Sequence, residues 1–306
     1  MRMHRNRVIG AILLALAVTA AACGDSGDDA APQEGPAVVI GAQDFGESAI
    51  LAEIYRGALE SEGFDAGVQP VGGFRDLELG AFDSGDINLA PEYAASMLEF
   101  LNGNAGEATS DAAETTDLLN AQLEPLGLVA LEPSEAIDTN AFVVTPETSE
   151  SVGITTLSEL AANGADLTLG GPPDCVTNPF CIPGLLSVYS LDMSANFQPL
   201  DAGQVTVQAL QAGEIDVAIL FSTSGIIADR GFILLEDDRE MLAADNVVPV
   251  LTVELRDAYG DDITSVLDDV SSKLTTETLT EMNKRFDIDT EDADVIAADW
   301  LADNGY

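Results

Sequence analysis

Two stretches of this chain are written almost alike, and that recurrence constrains the fold more than any other feature. The first runs Ala81-Phe82-Asp83-Ser84-Gly85-Asp86-Ile87-Asn88-Leu89-Ala90-Pro91-Glu92-Tyr93, the second Ala209-Leu210-Gln211-Ala212-Gly213-Glu214-Ile215-Asp216-Val217-Ala218-Ile219-Leu220-Phe221. Each reads as the last turn of a helix, a glycine, an acidic residue and a short apolar run. Glycine fits the left-handed position that ends a helix, and the apolar run reads as a buried parallel strand. In both copies an aromatic residue falls eight positions after the glycine, at the strand's C-terminal end. Ligands of open α/β sheets bind at that edge. Taken alone, the recurrence has two readings. Either two similar lobes each offer an aromatic to a shared cleft, or a common helix-to-strand turn recurs by chance and both aromatics are core.

The N-terminus carries an export signal. Arg2, Arg5 and Arg7 precede an apolar run from Val8 to Ala22, too short for a stable membrane span. It ends in Ala20-Ala21-Ala22-Cys23-Gly24, which resembles the lipobox of bacterial lipoproteins, where the cysteine is acylated and becomes the first mature residue. Ala20 stands where that motif usually has Leu, so ordinary cleavage leaving a free Cys23 is the competing reading. Residues 24–36 are mostly Gly, Asp, Ala and Pro and read as a disordered tether. The expected division is thus a signal over 1–22, a lipidated Cys23 with tether over 23–36, and a folded part from Ala37.

Charge narrows the partners. The chain has 54 acidic and 11 basic residues, a formal −43; losing the three signal arginines leaves 8 basic groups, or −46. Such a surface repels nucleic acid and anionic headgroups. High salt would screen its self-repulsion. The sole histidine, His4, lies in the signal, which removes His-based triads and His-ligated metals from the mature protein. No metal and no cofactor is expected. Cys175 and Cys181 share one Pro-rich loop. Two thiols are too few for a metal site, and export favours a disulfide between them.

From Ala37 the chain alternates strand and helix. Ala37–Gly41 reads as a buried strand, and Ile50, Leu51, Ile54, Tyr55, Ala58 and Leu59 make one apolar helix face ended by Gly63. Gln43-Asp44-Phe45-Gly46-Glu47-Ser48 lies between them at a helix N-terminus with free backbone N–H groups. A strand near Val68–Val71 leads to Gly72-Gly73-Phe74-Arg75. After Val247 the chain is helical, and Trp300 reads as core.

In this order the motifs become specific. Strand-Gly-x-x-x-Phe-x-Glu, Glu53-Ile54-Tyr55, Ser84–Asn88, Pro91-Glu92-Tyr93, Asn140–Val144, Thr156–Leu160, Gly213–Val217, Phe221–Gly225 and Leu235–Asp238 are similar in order and spacing to the substrate-binding proteins of ABC importers for glycine betaine, choline and related osmoprotectants. The resemblance spans about residues 37–304. It implies an α/β, two-lobe periplasmic-binding-protein fold of type II, with two crossovers and the solute between the lobes. Lobe one would be 37–138 with 247–306, and lobe two 140–245. It implies a monomeric, lipid-anchored protein at the cell surface or in the periplasm, a small-molecule solute and a membrane permease as partners, no nucleic acid and no catalysis. The family's aromatic box maps to Tyr93, Phe142 and Phe221; ring faces replace water around a trimethylammonium that donates no strong hydrogen bond. Phe45, Phe74, Gln43, Arg75, Asn140, Asp174 and Thr223 complete the expected cleft wall.

The departures bear on the solute. Two box positions are Phe where the family usually has Tyr, and Gln43 replaces a common Lys. No arginine stands in Gly171–Asn178. Either Arg75 substitutes, or the solute lacks a carboxylate, as choline does, or it is another amphipathic molecule. A sensory binding module without an importer and a secreted carboxylate-dependent hydrolase are the rival functions. Mass spectrometry of the membrane fraction is expected to show diacylated Cys23 as the mature N-terminus. A soluble product with an unmodified N-terminus beyond Cys23 would contradict this.

Overall fold

A computed structural model of the chain describes residues 32–200 and 203–306. The export signal, Cys23 and most of the expected tether lie outside the described residues.

The strands are β1 (Val38–Gln43), β2 (Ala66–Gly72), β3 (Leu89–Tyr93), β4 (Leu128–Ala130), β5 (Asn140–Val144), β6 (Leu169–Gly171), β7 (Phe197–Pro199), β8 (Val217–Phe221), β9 (Ile233–Leu234) and β10 (Val247–Thr252). They form two five-stranded sheets with one pattern, β2-β1-β3-β10-β4 and β7-β6-β8-β5-β9. In each, the fourth strand arrives from the other sheet and runs antiparallel to the third: β10 against β3, and β5 against β8. The first two pairs of each sheet are parallel, and the last, β10 with β4 and β5 with β9, is antiparallel. The chain therefore passes from sheet one to sheet two and back, and two crossovers join the lobes.

The crossovers are zipped to each other. Ile137 and Asn246 form an antiparallel bridge. Asp138 N donates to Asp245 O at 3.1 Å, Val247 N to Ala136 O at 3.0 Å, and Asn246 Nδ2 to Ser134 O at 2.7 Å. Backbone groups in this connection are thus paired with one another rather than with either lobe alone, which makes the connection a ribbon with a defined bending axis.

The two matching stretches occupy equivalent places. Gly85 and Gly213 end their helices at φ 75° and 70°, and the next residue's N–H reaches back to Ala81 O and Ala209 O, 2.9 Å each. Three residues after each glycine a polar side chain pins the neighbouring strand: Asn88 Oδ1 accepts from Val39 N, and Asp216 Oδ2 from Thr168 N, both at 2.8 Å. The recurrence is therefore one device used twice: a helix stop, a side-chain clamp on the adjacent strand, and a buried strand that delivers an aromatic to the sheet edge.

Apolar cores lie on both faces of each sheet. The largest packs β1 and β3 under the helix Gly46–Ser61 and the C-terminal helices Asp261–Lys273, Thr276–Asp287 and Ala293–Asn304. Trp300 is buried there and stacks on Tyr306. Phe142 is a correction to the expected box. It is 1% exposed and packs with Val144, Leu169, Leu185 and Ile219 beneath the helix Ile182–Tyr189. The reason is strand period: from Asn140 at the edge, the second residue along points into the same helix-covered face as Val144.

Candidate solute-binding cleft

The cleft is built from strand ends. Tyr93 closes β3 opposite Val247, and Phe221 closes β8 opposite Asn140. Val247 and Asn140 are the first residues of the two strands that arrive through the crossovers, so both aromatics stand beside the interlobe ribbon. Phe45, the residue before the helix Gly46–Ser61, lies with its ring 6.3 Å from that of Tyr93, tilted by 32°. Gly46 is required after it, because a Cβ there would run into the Phe286 ring. Phe45 is 42%, Phe221 44% and Phe74 74% exposed, while Tyr93 is 8% exposed beneath Phe45. Three rings thus present exposed surface, and Tyr93 lies beneath one of them, Phe45.

A buried polar node lies under these rings. Glu47, in the first turn of the helix, accepts from Tyr93 Oη through Oε1 at 2.5 Å, and from Thr223 Oγ1 at 2.8 Å and Asn283 Nδ2 through Oε2. Asn283 Nδ2 also donates to Thr223 O at 3.2 Å. Thr223 Oγ1 is 2.8 Å from Asp138 Oδ1 on the first crossover, and Thr223 N donates to the same oxygen at 3.2 Å. These contacts tie the segment after β8 in lobe two to a helix start and a C-terminal helix in lobe one. Burial pushes the Glu47 and Asp138 carboxyls above the usual range, although the donors on each oppose it.

A second buried cluster lies behind β3. Arg75 donates to Glu92 from Nε and Nη2, 2.7 Å each. Gln43 Nε2 donates to Glu78 at 2.9 Å and to Glu92 at 3.3 Å. Burial, and then the charge of Glu92, push Glu78 up to about 10, so Glu78 is neutral and donates to Glu92. Asp245, on the second crossover, is raised by burial to about 6, against the hydrogen bonds of Ser96 N and Oγ.

An interlobe recess of about 190 Å³ opens beside this cluster, lined by Arg75, Ser96 and Phe100 of lobe one and Asp174, Asn178 and Phe180 of lobe two. A larger depression of about 590 Å³ lies against β2, between that strand and the helix Arg75–Ser84. The smaller recess is the one that lies between the two lobes. Its lobe-two rim is the loop that the Cys175–Cys181 disulfide closes, with Cα atoms 5.2 Å apart. Asn140 Nδ2 holds that loop through Phe180 O at 3.1 Å.

The expected wall residues therefore divide. Phe45, Phe74 and Phe221 offer ring surface, and Arg75 and Asp174 line the recess. Gln43, Asn140 and Thr223 are engaged with protein groups and act as braces. Phe142 is core. Glu47, Asn283, Asp138, Asp245, Glu92 and Phe100 were missed. Glu47 had a signal, since an acid two residues after Phe45 at a helix start suits the helix dipole. The others meet only through tertiary contacts.

The comparisons agree with this architecture. The profile described as "Substrate binding domain of ABC-type glycine betaine transport system" matches residues 36–303, and the chain belongs to that family. It is 26% identical over 275 residues to the glycine-betaine-binding protein of Pseudomonas aeruginosa, covering 87% of each chain. It is 23% identical over 278 residues to the glycine betaine-binding protein YehZ of Escherichia coli, covering 88% of this chain and 91% of that one. Among solved structures, a glycine betaine/carnitine/choline ABC transporter protein superposes with a TM-score of 0.73 at 23% identity, over 88% of this chain and 97% of that one. A choline-binding protein in complex with choline gives 0.59 at 14% identity, over 88% of each. The chain is thus a substrate-binding protein of an ABC importer, a class that works outside the cytoplasm with a membrane permease. Among the described residues no helix is long and apolar enough to cross a membrane.

The Glu78 cluster yields a test whose sign is unusual for a buried acid. A carboxyl raised in the fold contributes stability below its unfolded value near 4.5 that is lost as pH rises toward about 10. Glutamine keeps both contacts, accepting from Gln43 and donating to Glu92, and never ionises. Glu78→Gln is expected to stabilise the protein at about pH 8 by at least about 1 kcal/mol, or about 2–4 °C, with little change at about pH 4. Thermal melting at the two pH values measures this; equal destabilisation at both would contradict it.

Proposed function

We propose that the chain is the solute receptor of an ABC importer, anchored to the membrane by a lipid on Cys23, and that its solute is a quaternary ammonium compound. The carrying observation is the pair of matched strand ends, which set Tyr93 with Phe45 in lobe one and Phe221 in lobe two beside one ribbon. Ring faces attract such a cation by about 0.5–2 kcal/mol each, depending on desolvation. A solute touching rings of both lobes binds the closed form better than the open form, and that difference is what drives closure. The strong acidity of the chain adds attraction for a cation at the cleft mouth.

The solute's other end is less well served. Arg75 is the one cation among the described residues lining the recess, and two of its nitrogens already hold Glu92. A carboxylate-free cation such as choline suits this wall better than glycine betaine. The Pseudomonas and Escherichia relatives are named for glycine betaine, so both are the probes of choice.

Two phenylalanines separate a ring of the site from a ring of the core. Phe221→Ala is expected to weaken choline or glycine betaine binding about tenfold or more at nearly unchanged stability. Phe142→Ala is expected to cost about 3–5 kcal/mol of stability through the cavity it leaves. Calorimetric titration and melting of both variants read this. A Phe221→Ala variant with full affinity and a large stability loss would refute the assignment.

A further inference from the structure

One hydroxyl hydrogen serves two carboxyl groups at the interlobe node. Thr223 Oγ1 lies 2.8 Å from Glu47 Oε2 and 2.8 Å from Asp138 Oδ1. A hydroxyl has a single hydrogen to donate, so it satisfies one of these oxygens and must accept from the other. A carboxylate has no hydrogen to give. With both acids ionised, one oxygen would face the Thr223 lone pairs at hydrogen-bond distance with nothing between them. The contact closes only if the pair carries one proton.

We infer that Glu47, Thr223 and Asp138 form a binding site for one proton that exists only when the lobes are closed, so that closing the cleft takes up a proton. The members come from different parts of the hinge system. Glu47 starts a helix of lobe one, Asp138 is on the first crossover, and Thr223 follows β8 of lobe two. Thr223 lies in lobe two and Glu47 and Asn283 in lobe one, so lobe separation would act on the Glu47–Thr223 and Asn283–Thr223 contacts together.

The surroundings of the pair are acidic or neutral. Tyr93 from β3 and Asn283 from the helix Thr276–Asp287 donate to Glu47. Asp287 on that helix adds negative charge near Glu47, and Asp245 on the second crossover adds it near Asp138. Arg75 is spent on Glu92, the residue before Tyr93 on β3. Lys284 meets this region through its Cβ and backbone, which pack on Gly225. Burial raises both carboxyls, and the charge of Glu47 raises Asp138 further. The proton belongs to the pair rather than to one residue. Glu47 and Thr223 are themselves buried.

The sign follows from linkage. A group that holds its proton more tightly when closed favours closure below its open-state value, and that help is lost as pH rises. Solute affinity should therefore fall with rising pH by up to about tenfold per unit, beginning above the ordinary carboxylate range near ~4.5 and levelling off above the closed-state value. Self-repulsion of the acidic surface also grows with pH, but it is shared among 54 acids and barely changes when one is removed.

The experiment rests on the quaternary-amine reading in one arm and is free of it in the other. Choline and glycine betaine are titrated calorimetrically against the mature protein and against Asp138→Asn from about pH 5 to about pH 8 at fixed ionic strength. The parent should lose affinity by at least about tenfold across that range, whereas Asp138→Asn, which needs no shared proton, should show a flat profile. Glu47→Gln, tested beside it, should flatten the profile as well. In the second arm, small-angle scattering of the ligand-free proteins follows the radius of gyration with pH; the parent should expand as pH rises and Asp138→Asn should not. A flat parent profile in both arms, or an unchanged slope in Asp138→Asn, would overturn the inference. Absence of binding by either amine at any pH, with the scattering response intact, would overturn the solute reading alone.

Discussion

Glu47 carries the structure's central constraint. Its carboxyl is buried at a helix start, where free backbone N–H groups and the helix dipole favour negative charge. From there it fixes Tyr93 on the strand beside it, Asn283 on a helix more than two hundred residues away in sequence, and Thr223 in the opposite lobe. A buried acid with this many donors is costly to expose by halves. Removing one donor leaves a desolvated oxygen unpaired, which costs about 1–3 kcal/mol and more for a charged group. The node therefore favours two arrangements, fully assembled with the lobes together or fully hydrated with them apart.

The same economy of cations runs through the cleft. The chain has 11 basic residues against 54 acids, so most carboxyls cannot find a counter-ion. The fold answers with donors of other kinds. Ser96 serves Asp245, Gln43 serves Glu78 and Glu92, and Tyr93, Thr223 and Asn283 serve Glu47. Where even these run short, a carboxyl stays protonated, as Glu78 does against Glu92. Arg75 is the exception that proves useful, because its bidentate pair with Glu92 lets β3 bury an acid one residue before the aromatic it must present. A cleft floored this way attracts cations and offers little to an anion.

The fold was legible because it is written twice. Gly85 and Gly213, each followed by an apolar strand and an aromatic, read either as two equivalent lobes or as a chance recurrence, and the structure makes them equivalent down to the side chain that clamps the neighbouring strand. Trp300 and the helix after β1 could be read from apolar spacing alone. Phe142 could not. The sequence places it two residues from the strand start, and only the register against Ile219 shows that its face is covered by a helix. Thr223 and Gln43 were placed at the right edge, but their partners come from residues 35 to 176 positions away. Hydrogen bonds of that separation leave no trace in local pattern. The same holds for Asp138 and Asp245, whose meaning depends on the two crossovers lying side by side.

The account stands on the Glu47–Thr223 contact as the link that couples ring placement to lobe closure. A double-mutant cycle with Glu47→Ala and Thr223→Val, read as choline affinity at about pH 6, tests it directly. The account predicts a coupling of at least about 1 kcal/mol, with the double variant losing far less than the sum of the two single losses. Losses that add to within about 0.3–0.5 kcal/mol would show that the two residues act independently, and would contradict it.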